Sequence, residues 1–200
     1  CGQPREGVEL RVVDDFDREV EPGAVGELIV RTAQPWALNS GYYKNPEATA
    51  KVLKDGWMNT GDMGMITFND CVKIMGRSKD TVVLQNGENV EPVPIENKMC
   101  ESVFIDQVMV VGQDQKFLAA LVVPSVEEFK KFGIPAETVE ELARNPEVLR
   151  VIKEEIARLV SGENGFKAFE RMQDARVVPK AFEVGDEMTN LFKLKRHIIT

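Results

Sequence analysis

Three segments of this chain carry side chains that chemistry could use and that composition alone does not explain. The first is Trp57-Met58-Asn59-Thr60-Gly61-Asp62, where a carboxylate directly follows a glycine turn and stands next to an expected strand. A carboxylate so placed can accept both hydrogen bonds of a vicinal diol such as a ribose. The plainer alternative is a turn aspartate that satisfies backbone amides. The second segment runs from Gly76-Arg77-Ser78-Lys79 through Asn86-Gly87-Glu88-Asn89 to Pro94-Ile95-Glu96, and the third from Glu187 to Arg196. The conventional catalytic patterns are absent. The single histidine, His197, stands three residues from the last, so a Ser/His/Asp triad or a Cys/His pair would have to rest on a residue expected to be solvated. No GxxxxGK[ST] phosphate loop occurs. Cys1, Cys71 and Cys100 are too scattered for a metal site and read as reduced thiols; no metal ligands are expected.

The background to these segments is an ordinary soluble composition. The chain has 200 residues, 43% of them hydrophobic, and 33 acidic side chains against 25 Lys and Arg give a net charge of −8. Spread acidic charge argues against a nucleic-acid surface, with one local exception in the basic run Lys193, Lys195, Arg196, His197. The longest apolar stretches, such as Phe117 to Pro124, fall far short of the roughly 20 residues that cross a bilayer, and no signal segment opens the chain. The expected location is cytoplasmic, with peripheral membrane association left open and the oligomeric state undefined.

The elements that must position these residues follow from pattern. Val8, Leu10 and Val12 alternate with Glu9 and Arg11, predicting a strand that Asp14-Asp15 breaks, and a second strand is expected at Glu27 to Arg31. Asn45-Pro46-Glu47 opens a short helix ended by Asp55-Gly56. A strand pair is expected at Met63 to Phe68 and Val72 to Met75 around Asn69-Asp70. Beyond Gly76 the Asn86-Gly87 step predicts a hairpin, then a helix at roughly Ile95 to Cys100 after Pro92 and Pro94, and β-rich runs at Gln107 to Val111 and Phe117 to Val123. Ser125 has capping-box spacing. Asn145-Pro146 opens a longer helix with Val148, Val151, Ile152, Ile156 and Leu159 on one face, closed by Gly162 and Gly165. Trp57 and Tyr42 read as packing residues. Two modules are expected, a β-rich one over 1–76 and an α+β one over 77–200.

In order and spacing these segments resemble the closing part of an adenylate-forming enzyme. Gly26-Glu27-Leu28 with Gly41-Tyr42-Tyr43-Lys44-Asn45-Pro46-Glu47-Ala48-Thr49 is similar to that family's GEL…GYYxNPEAT stretch, Thr60-Gly61-Asp62 to its TGD motif, and Gly76-Arg77 to its GR-x-[DK] hinge motif. Gly87-Glu88-Asn89-Val90-Glu91-Pro92 and Phe192-Lys193-Leu194-Lys195-Arg196 resemble the long-chain fatty acyl-CoA ligase branch, although Asn190 stands where that branch usually has Pro. The resemblance implies an α+β fold, the β-rich end of a large adenylation domain followed by a small α+β terminal lid. Cys1-Gly2-Gln3-Pro4 is similar to the GxP that follows the family's phosphate loop. By that alignment the 200 residues begin after the loop and are expected to be inactive alone.

The implied reaction joins a fatty acid to ATP as an acyl-adenylate and then passes the acyl group to CoA, with ATP carried as its Mg2+ complex. Asp62 would hold the ribose hydroxyls, Arg77 the ribose or phosphate region, and Lys193 the adenylation transition state. Lys79 would be the hinge about which the lid rotates between half-reactions, and Gly87 would line the pantetheine tunnel besides supplying the turn's positive φ. Transfer to a carrier-protein thiol, or a non-catalytic interaction module with the same lid fold, remain the alternatives.

Overall fold

The computed structural model describes residues 2–34 and 36–199, so Cys1 lies outside the described residues. The chain forms two compact units, Cys1–Asp80 and Thr81–Thr200.

In the first unit, β1 (Val8–Val13) and β2 (Gly26–Thr32) pair antiparallel, Val8 opposite Thr32, and β2 pairs with β4 (Trp57–Ile66). The other edge of β4 takes β3 (Leu53–Lys54) near its start and β5 (Val72–Arg77) further on. Val12, Leu28 and Val72 are buried on one face with Leu10, Val20 and Ile66 against them. Helix α1 (Pro46–Val52) begins where Asn45 Oδ1 accepts the Ala48 N–H at 3.0 Å. Trp57 is half-buried between the Arg11 and Arg31 guanidinium groups, 4.7 and 4.5 Å from its ring centre. Tyr42 is not a packing residue: it is 56% exposed, in a loop held by its backbone N–H to Thr49 Oγ1.

Strand β4 begins at Trp57 rather than at Met63, so Thr60-Gly61-Asp62 lies inside a strand and not in a turn before one. Pattern reading misses this because the strand is bulged. Between Glu27↔Met63 and Ile29↔Asn59, β4 advances four residues while β2 advances two, and the surplus breaks the period-two alternation.

The second unit opens with the hairpin of β6 (Val82–Val83) and β7 (Asn89–Val90), followed by α2 (Pro92–Met99). Pro92 and Pro94 sit in that helix's first turn rather than before it, where their missing N–H groups cost nothing. A three-stranded sheet follows. β9 (Leu118–Pro124) lies between antiparallel β8 (Ile105–Val111) and parallel β10 (Met172–Val177). The crossover from β9 to β10 carries α3 (Val126–Lys131), α4 (Val139–Ala143) and α5 (Pro146–Leu159). Ser125 precedes α3 as expected but makes no side-chain capping bond.

The near-continuous apolar runs of β8 and β9 are those of strands covered on both faces. Val108, Val110, Leu118, Ala120 and Val122 pack beneath α2 and α5, where Val148, Ile152, Ile156 and Leu159 supply the apolar stripe read from the sequence. Met109 and Val123 point to the other face, against Phe182, Met188 and Leu194 of the terminal segment. That segment is fastened twice to the Gln107 side chain: Phe182 N–H donates to Oε1 at 2.7 Å, and Nε2 donates to the Phe182 carbonyl at 3.2 Å. The last element is α6 (Arg196–Ile199). Among the described residues, no helix is long and apolar enough to cross a membrane.

Candidate functional site

The bulge in β4 is built by its own side chains. Asn59 Oδ1 accepts the Gly61 N–H at 2.7 Å; Thr60 Oγ1 accepts the Asp62 N–H at 3.1 Å and donates to the Leu28 carbonyl at 2.8 Å. Gly61 has φ +70, and a Cβ there would meet nothing within 4 Å, so the backbone angle and not crowding calls for glycine. The bulge re-aims the next side chain. Asp62 stands opposite Arg77 in the β4–β5 register, and Asp62 Oδ1 lies 2.9 Å from Arg77 Nε. Arg77 is exposed and Asp62 half-buried, and an ion pair so placed contributes about 0.2–1 kcal/mol to stability. The pair by itself thus adds little to stability. A carboxylate and a guanidinium side by side at the end of the β4–β5 ladder can take hydroxyl and phosphate groups of one ligand.

Lys79 is exposed in a 3-10 turn, Ser78–Asp80, just beyond β5. Gly87, at φ +85, is the left-handed residue of the β6–β7 turn: the Leu84 carbonyl accepts the Gly87 N–H at 2.8 Å and the Leu84 N–H donates to the Glu88 carbonyl at 2.9 Å. No atom lies within 4 Å of a Cβ placed on Gly87, so space is open beside it. The turn is held from below, since Gln85 N–H donates to the Gln115 carbonyl and Val83 N–H to Gln113 Oε1.

Lys193 closes the turn Thr189–Lys193: the Thr189 N–H donates to its carbonyl at 2.8 Å, and its own N–H donates to Thr189 Oγ1 at 3.2 Å. Its side chain is exposed, and among the described residues the ammonium has no hydrogen-bond or ion-pair partner. Two other members of the basic run, Lys195 and Arg196, are structurally engaged. Lys195 Nζ donates to the Gly185 carbonyl at 3.0 Å. Nearby Glu187 has its carboxyl held below the usual range, chiefly by the Glu183 N–H that it accepts at 3.0 Å and further by its own N–H and the Lys180 and Lys195 charges.

Arg196 is the residue that sequence reasoning undervalued. Its Nη2 lies 2.5 Å from Glu96 Oε2 and its Nη1 donates to the Val110 carbonyl at 3.2 Å, while Glu96 Oε1 accepts the Val110 N–H at 2.7 Å. The side chains are 16% and 11% exposed. The available signal was Glu96 itself, which shares the buried face of α2 with Pro92, Ile95 and Met99, where a carboxylate requires a partner. This latch ties the segment bearing Lys193 to α2 and β8. Arg196→Ala is expected to lower the unfolding free energy by about 3 kcal/mol, because it strands a buried carboxylate. Urea titration measures this, and a change below about 0.5 kcal/mol would reduce the latch to an ordinary surface pair.

Comparison with known proteins completes the description. A sequence model described as AMP-binding enzyme C-terminal domain matches residues 79–178. A human long-chain-fatty-acid–CoA ligase is 39% identical over 163 residues, 78% of this chain and 23% of its own length. A chloroplastic long-chain-fatty-acid–[acyl-carrier-protein] ligase of Arabidopsis thaliana is 38% identical over 72% of this chain and 21% of its own. A long-chain-fatty-acid–CoA ligase of Mycobacterium tuberculosis is 30% identical over 99% of this chain and 31% of its own. The chain thus spans between about a fifth and a third of the length of these curated relatives. Among solved structures, the adenylation domain of a carboxylate reductase from Mycobacterium chelonae superposes with TM-score 0.78 at 25% identity, covering 98% of this chain and 30% of that one.

Proposed function

This chain belongs to the AMP-binding, adenylate-forming enzyme family, and from that premise we propose that the whole protein is an ATP-dependent long-chain fatty acid:CoA ligase. In the first half-reaction a fatty carboxylate attacks the α-phosphorus of ATP, and the bond to pyrophosphate breaks. In the second, a thiolate attacks the acyl carbon and AMP leaves. Asp62 accepts the ribose hydroxyls, Arg77 faces the ribose and phosphates, and Lys193 meets the charge that grows as pyrophosphate departs. A compact ammonium on a flexible stem suits a phosphoryl group whose charge is shifting. ATP would enter as its Mg2+ complex, because Mg2+ keeps several of its waters and binds chiefly through the nucleotide's phosphates.

The observation that carries this reading is the Asp62–Arg77 pair, its guanidinium exposed and its carboxylate placed by a bulge, in a chain whose relatives include long-chain fatty acid CoA ligases. Gly87, with open space beside a rigidly held turn, then lines the path of the pantetheine thiol. The residues around Lys79 absorb the change of backbone between half-reactions. A specific observation keeps a second acceptor in view: one relative is a ligase for acyl-carrier protein. Labelled acyl-adenylate offered to the whole enzyme with either CoA or holo-carrier protein decides between them. Thioester formation on CoA is expected, and transfer to the carrier protein alone would reassign the second substrate.

A further inference from the structure

Among the described residues, four turns share one hydrogen-bond pattern. In Asp14–Arg18, Thr67–Cys71, Leu84–Glu88 and Thr189–Lys193, the first N–H donates to the fifth carbonyl and the fourth N–H donates to the first carbonyl. The pattern puts the fourth residue in the left-handed region, with φ +59 at Asp17, +58 at Asp70, +85 at Gly87 and +58 at Phe192. Asp and Gly suit that region, whereas a bulky side chain there is strained. Among the described residues Phe192 is the only aromatic residue with positive φ. Packing does not compensate the strain, since Phe192 is 74% exposed and Leu191 beside it 77%. A fold optimised for stability would have Gly or Asn at 192.

Strain that the surrounding fold does not repay points to use elsewhere, and the next residue is Lys193. We propose that Phe192 is a positioning residue for Lys193. Its left-handed backbone sets the direction of the lysine, and its exposed ring shields the neighbouring ammonium from water when nucleotide is bound. With water excluded, the attraction between ammonium and phosphate is screened less. The proposal rests on the reading of Lys193 given above.

The test measures both half-reactions of the whole enzyme at saturating substrate, together with its thermal midpoint. Phe192→Gly is expected to keep or raise the midpoint, to lower carboxylate-dependent pyrophosphate exchange about tenfold or more, and to leave thioester formation from supplied acyl-adenylate unchanged. Phe192→Leu, which keeps an apolar side chain, should recover most of the exchange. Exchange within twofold of wild type in Phe192→Gly, with Lys193→Ala still defective, would overturn the proposal and leave the reading of the lysine intact. Equal losses in both half-reactions with a lowered midpoint would also overturn it, by showing a structural role. Unimpaired exchange in Lys193→Ala would instead remove the reading on which the proposal rests.

Discussion

Lys193→Ala is expected to slow acyl-adenylate formation by about 10² or more while leaving thioester formation from supplied acyl-adenylate essentially unchanged. The magnitude is that of losing one preorganised electrostatic group, about 2.7 kcal/mol of transition-state stabilisation. The selectivity follows from the chemistry: the first step concentrates negative charge on phosphoryl oxygens as pyrophosphate leaves, and the second expels AMP, a single phosphate already formed. The structure isolates the effect. The ammonium is exposed and has no partner among the described residues, whereas its backbone fixes the Thr189–Lys193 turn through bonds that alanine keeps. Stability should therefore change by less than about 0.5 kcal/mol, as for other exposed positions. Pyrophosphate exchange and single-turnover thioester formation measure the two steps. Equal damage to both would contradict the assignment of Lys193.

Lys79→Pro is expected to give the opposite profile, with thioester formation lowered about 10² and adenylation kept within a few-fold of wild type. Lys79 lies in a 3-10 turn, whose φ of about −50 to −70° is close to the value that proline imposes. The substitution therefore suits the φ of residue 79 and resists any other value there, while it disfavours the helical backbone of Ser78 before it. Its lost lysine side chain matters little, because hinge residues act through the backbone. Lys79→Ala is the control and should leave both steps near wild type. If Lys79→Pro spared thioester formation, the hinge would lie elsewhere.

What the sequence revealed and what it concealed divide along the range of the interactions. The Asn45 and Asn145 caps, the Asn86-Gly87 turn and the buried stripe of α5 are local patterns, legible from a few neighbouring residues, and each stands where expected. The start of β4 was not legible, since a bulge of two surplus residues disrupts the alternation that marks a strand. Strand β10 was missed altogether. Its Met172-Gln173-Asp174-Ala175-Arg176-Val177 is polar enough for an edge, and its partner β9 lies across a crossover of three helices. Of the site, Thr60-Gly61-Asp62 and Arg77 stood out by motif, but the register that sets Asp62 opposite Arg77 depends on pairing and bulge together. The strain at Phe192 had no signal in composition or spacing. It is visible only as a backbone angle.

The measurement that bears most directly on the proposed activity is exchange of labelled pyrophosphate into ATP by the whole enzyme, with and without a long-chain fatty acid. Formation of acyl-adenylate and its reversal carry label into ATP before any thiol is present. The expected result is exchange that requires the fatty acid and Mg2+, proceeds without CoA and falls about 10² or more in Lys193→Ala. Fatty-acid-dependent release of ADP with no exchange of pyrophosphate would contradict the account, because it would place the attack at the γ-phosphorus and leave no acyl-adenylate for Asp62, Arg77 and Lys193 to hold.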